Sequence, residues 1–137
     1  MRGGLVSAAA TAGAVIGFGI RNGDWSGPFA GLAYEVMSSL GGEPPFRFAV
    51  VTGLLAHAAW MIVWGMVFAL LSARKTIGTS IVLAAVVSIV AAWLAADLIP
   101  AAFGAVRFAQ LPGSQVVLCV ALAALGMLSS RVFERSA

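Results

Sequence analysis

FAVVTGLLAHAAWMIVWGMVFALL, residues Phe48–Leu71, decides the class of this chain. The run carries no formal charge, and about 20 apolar residues are what a helix needs to cross the hydrocarbon core of a bilayer. One ionisable group sits inside it: His57, the sole histidine of the 137 residues. Such groups are costly and rare at membrane depth, and by default they mark a function.

Outward from this run the pattern repeats. Apolar segments at about 4–20, 77–99 and 114–132 join 48–71 as expected membrane spans. The chain is 61% hydrophobic and 9% charged, against about 25% charged residues in soluble domains. The expected fold is therefore an all-α integral membrane protein, one domain over 1–137 with four transmembrane helices. The first segment follows Arg2 and is alanine-rich, as a signal peptide would be. Its small residues occupy the middle, however, and the run continues through Val15-Ile16-Gly17-Phe18, so a retained helix is expected.

The formal charge of +3 does not point to nucleic acid, because the basic residues punctuate the ends of apolar runs. The bilayer is the expected partner. Cys119 is the only cysteine, so no intrachain disulfide can form, and one histidine with one cysteine cannot supply a four-ligand N/S zinc site.

Four spans place Arg2, Arg74, Lys75, Arg131 and Arg135 on one side and Arg21, Arg47 and Arg107 on the other. Since cytoplasmic loops carry the Lys/Arg excess, both termini are expected in the cytoplasm, and the membrane is expected to be a bacterial cytoplasmic (inner) one. The two outer loops each hold a candidate amphipathic helix. Pro28 opens one over about 28–40, with Phe29, Leu32, Ala33, Val36, Met37 and Leu40 on one face and Gly41-Gly42 as the stop. It is expected to lie on the outer surface, with Trp25 and Tyr34 near the headgroups. Pro100 opens a second over about 100–111, before Pro112-Gly113.

Small residues recur every fourth position in two spans: Ala9, Gly13 and Gly17 in the first, and Ala84, Ser88, Ala92 and Ala96 in the third. In lipid, close backbone approach over small residues supplies much of helix association. Both ladders are expected to pack helices, with one of them available to a neighbouring chain.

His57 admits three roles. It can be a neutral histidine bonded to a carbonyl or a hydroxyl, with Thr52 and Ser88 as candidates. It can be an axial ligand to a tetrapyrrole, a haem or chlorophyll-type pigment, beside Trp60 and Trp64. It can titrate or gate substrate in a small transporter. Asp97 lies about 10 Å from it in depth at 1.5 Å per residue. Its nearer expected partners are Arg21, Arg47 and Arg107, an outer-side polar cluster.

Gly53-Leu54-Leu55-Ala56-His57-Ala58-Ala59-Trp60 resembles the pigment-binding stretch of bacterial light-harvesting polypeptides, which have a small residue four before a histidine and tryptophans after it. The resemblance covers about a dozen residues and implies a tetrapyrrole on His57; those polypeptides have a single span, and this chain is expected to have four.

No GxSxG elbow, HExxH helix, phosphate-cradling loop or paired membrane carboxylates occur. A non-catalytic role is expected: an accessory or structural subunit of a larger membrane complex, respiratory or photosynthetic. The alternative is a homo-oligomeric transporter or channel using His57 and Asp97.

Overall fold

The structure, a computed structural model, describes residues 2–39, 46–95 and 112–134. It is helical, with five helices in chain order: α1 Arg2–Arg21, α2 Gly27–Ser39, α3 Phe46–Ser72, α4 Ile77–Trp93 and α5 Gly113–Glu134. Among the described residues there is no strand.

Three helical stretches are long and apolar enough to cross a membrane: Arg2–Arg21, Phe48–Ser72 and Gly113–Ser130. The segment expected as a fourth span is shorter. α4 has 17 residues, about 25 Å at 1.5 Å per residue, against a hydrocarbon core of about 30 Å. A π-type turn follows at Leu94 and Ala95. Residues 96–99 and the candidate helix at 100–111 lie outside the described residues.

Local chemistry sets the helix ends. α1 stops at Gly23, whose φ of 79° is the left-handed conformation that favours glycine. The Asp24 amide turns back to the Gly19 carbonyl at 2.9 Å. The Asp24 carboxylate then accepts from the Gly27 amide at 2.8 Å, capping α2. Replacing Asp24 with alanine should cost about 1 kcal/mol, read as earlier thermal unfolding in detergent and faster amide exchange in the first turn of α2. Thr76 caps α4 in the same way, accepting from the Thr79 amide at 3.3 Å.

Four helices form a ring in the order α1, α5, α4, α3, with the broadest contact between α1 and α5. α2 packs on the outside of α3. It runs antiparallel to the first half of α3, with Phe29 against Gly53 and with Ala30, Ala33, Ala49 and Val50 in one cluster. The reason is local. Gly53 has no Cβ, and one built there would overlap the Phe29 carbonyl, so only glycine admits this approach. Trp25 and Tyr34 remain exposed.

The ring is dense in one half. Ala8, Met61, Phe68, Ala84, Val87, Ala123 and Met127 form its core. Here the helix backbones almost touch: a Cβ on Gly65 would lie 2.6 Å from the Gly4 Cα, and one on Gly126 would lie 2.6 Å from the Ser7 amide. Buried hydroxyls bridge the same helices. The Ser7 hydroxyl donates to the Ala123 carbonyl at 2.8 Å, and the Ser88 hydroxyl reaches the Met127 sulfur at 3.9 Å. In hydrocarbon such contacts replace the hydrophobic drive available in water.

Outward, the surface is apolar. Leu55, Val63, Leu70, Ile81, Val82, Val86, Ile89, Val117 and Leu125 are all exposed. In water so much apolar surface would mark a liability or an interface; on membrane helices it faces acyl chains.

The first small-residue ladder faces away from the bundle. Ala9, Gly13 and Gly17 are exposed, and a Cβ on either glycine would meet nothing within 4 Å. α1 instead turns Gly3, Gly4, Ser7, Ala8 and Thr11 inward. The two hydroxyls decide this, because lipid offers them no partner and the bundle does. In the second ladder Ala84 and Ser88 are buried, Ala92 is half-buried, and Ala96 lies outside the described residues.

Candidate functional site

The less dense half of the ring holds a cavity of about 150 Å³ to which all five helices contribute. α1 provides Thr11 and Val15, and the first turn of α2 provides Pro28 and Phe29. α3 provides His57, Trp60 and Met61, α4 provides Ser88 and Ala92, and α5 provides Cys119 and Val120. His57 is therefore on the wall of a bundle region that packing leaves open.

His57 is held by three neighbours, the Thr11 hydroxyl, the Ala8 carbonyl and the Phe29 ring. Its Nε2 lies 2.8 Å from the Thr11 hydroxyl, tying α3 to α1. Its ring meets Phe29 edge-on, with centroids 5.9 Å apart and planes at 73°. The hydroxyl partner is Thr11, not Thr52 or Ser88. The signal was present in the sequence: Ser7 and Thr11 stand one turn apart in an otherwise apolar span, and such a pair faces the interior.

The hydrogen positions around Thr11 follow from the donor inventory. Its oxygen lies 2.7 Å from the Ser7 carbonyl and 3.3 Å from the Ala8 carbonyl. Carbonyls only accept, so the single hydroxyl hydrogen goes to the backbone, as threonine commonly does inside helices. The threonine oxygen must then accept from Nε2–H. A neutral imidazole with its proton on Nε2 keeps a lone pair on Nδ1.

Trp60 and Trp64 pack against each other as a T, with centroids 5.7 Å apart. Trp60 faces the cavity, whereas Trp64 packs on the dense core and its buried indole N–H has no acceptor among the described residues. Trp93 is exposed on the apolar surface. Of the expected outer cluster, Arg21 is exposed at the end of α1. The Arg47 side chain, Asp97 and Arg107 lie outside the described residues.

Two properties bear on a tetrapyrrole. The cavity is below the roughly 300–1,000 Å³ of pockets for drug-sized ligands, so a macrocycle does not fit within it. His57 and Cys119 are the histidine and cysteine on its wall, and among the described residues no group of three His, Cys, Asp or Glu side chains gathers to hold a metal ion. The space suits a smaller occupant.

Protein-family models, curated proteins and solved structures contain no match to this chain.

Proposed function

We propose that this protein is a non-catalytic membrane component that works as an accessory or structural subunit of a larger assembly in a bacterial cytoplasmic membrane. In this reading the chain crosses four times, with α4 continued beyond Trp93 to complete the fourth crossing, and both termini lie in the cytoplasm.

One observation carries the reading: α1 presents Ala9, Gly13 and Gly17 outward, with open space at both glycines among the described residues. A ladder that its own bundle does not use is the surface over which a second helix approaches closely in lipid. Leu5 and Ile20, both exposed on the same helix, extend the face at either end.

The test is a pair of substitutions. Gly13→Leu and Gly17→Leu add bulk where the chain has open space, so the isolated protein should keep its thermal stability to within about 0.5 kcal/mol. Extracted gently from its native membrane, the wild type should migrate as a larger complex, and the double variant should run as the lone chain. A wild type that extracts as a monodisperse monomer, or a variant that stays in the complex, overturns the proposal.

A further inference from the structure

The Ala8 carbonyl that also bonds the His57 ring lies 3.3 Å from the same Thr11 oxygen that Nε2 meets, so both bonds fall on the Nε2 side and leave Nδ1 without a hydrogen bond among the described residues. Nδ1 is also absent from the buried orphan atoms, which are the Trp64 indole nitrogen and the Ser72 hydroxyl. Nδ1 is therefore reached from open space, and the open space that His57 borders is the cavity.

The cavity dictates what can satisfy it. An unmade acceptor in apolar surroundings is unfavourable, so an occupant that donates a hydrogen bond to Nδ1 is favoured. Water is a poor candidate, because an ordered buried water takes two to four polar partners. Here Thr11 is committed to His57 and to its own helix, and Ser88 is turned to Met127. The remaining wall is aliphatic and aromatic: Val15, Phe29, Trp60, Met61, Ala92 and Val120. An apolar cavity of about 150 Å³ is the size that holds a benzene ring. Phe29, already edge-on to His57, offers an aromatic wall for edge or offset stacking.

We propose that this cavity binds a single hydroxylated aromatic ring, of the phenol or quinol class, whose hydroxyl donates to His57 Nδ1. The ring fills the space between α1, α3, α4 and α5, with Phe29 beside it and Cys119 on the far wall. The ring can come from two sources, a free phenol or the head of a tailed membrane quinol.

Because His57 is the only histidine, ¹⁵N-histidine labelling of the full chain in nanodiscs gives one Nδ1 and one Nε2 signal. Without ligand the spectrum should show a neutral ring with its proton on Nε2. Phenol should move the Nδ1 signal saturably, whereas anisole, the same ring without a donor, should bind about tenfold more weakly, the equivalent of about 1.4 kcal/mol for one hydrogen bond. Decylhydroquinone binding at least tenfold more tightly than phenol would identify the tailed quinol as the source, and equal affinities would identify the free phenol; either supports the site.

Ala92→Leu fills the cavity from α4 without touching the His57–Thr11 bond. It should abolish the phenol response while leaving the ligand-free histidine spectrum intact. An Nδ1 signal that neither ligand moves, anisole binding as tightly as phenol, or a ligand-free proton on Nδ1 would each overturn the proposal, as would an Ala92→Leu protein that responds like the wild type.

Discussion

Gly65→Leu is expected to unfold the bundle under conditions where the wild type is stable. A Cβ at that position would lie 2.6 Å from the Gly4 Cα and 2.7 Å from its amide nitrogen, so the new side chain meets backbone and not a movable tip. Relief requires α1 and α3 to separate. That separation pulls Ser7 from the Ala123 carbonyl and Thr11 from His57, the hydroxyl bonds that fix α1 in the ring. Overpacking alone costs about 1–3 kcal/mol, and interhelical hydrogen bonds in membranes add about 0.6 kcal/mol each. A total of about 3 kcal/mol or more is expected, measured as a lower unfolding midpoint in an SDS titration from mild detergent. Gly13→Leu is the matched control on α1, since it adds the same bulk on the open side. Equal losses from both would mean that the close approach of Gly4 and Gly65 does not hold the helices.

The second large effect is local. Gly53→Leu should detach α2 from α3 and leave the four-helix ring standing. The Phe29 carbonyl occupies the place where the new Cβ would be built, and the whole first turn of α2 must shift to make room. The ring has no such constraint at residue 53, because its closest contacts lie in the dense half around Gly4, Gly65 and Gly126. Amide exchange should therefore rise over Gly27–Ser39 alone, with a cost of about 2–3 kcal/mol for the overpacked contact. Cys119, on the cavity wall that Phe29 closes, should label faster with a membrane-permeant maleimide. Unchanged exchange over α2 would refute the account.

These two glycines show what could be read from the sequence and what could not. Hydrophobic run length located the helices, because lipid imposes a minimum length and excludes charge. For the fourth expected span the described residues carry the α-helix as far as Trp93 and a π-type turn at Leu94 and Ala95. The ladder Ala9, Gly13, Gly17 was legible as a packing surface, but its direction was not. A fourfold repeat of small residues has the same appearance whether it faces kin or lipid. The polar pair Ser7 and Thr11 breaks that tie, and it identifies the inward face of α1 from sequence alone. Gly4, Gly53, Gly65 and Gly126 were not legible, because a glycine's role there depends on which backbone arrives opposite. The same holds for the cavity. His57 was conspicuous, but Thr11, Phe29 and Cys119 reach it from three other helices, and nothing in their local sequence announces a common destination.

The broadest seam in the ring joins α1 to α5, and the Ser7–Ala123 bond closes a loop of 116 residues. That arrangement has a consequence for biogenesis. A chain inserted into the membrane in sequence order delivers α1 first and its principal partner after every other helix. Throughout that interval the Ser7 hydroxyl has no Ala123 carbonyl to meet, and α1 is held by α3 with a slight contact to α2. Closure of the ring is thus a late event of synthesis, and the long span between its halves makes it the slow step of assembly.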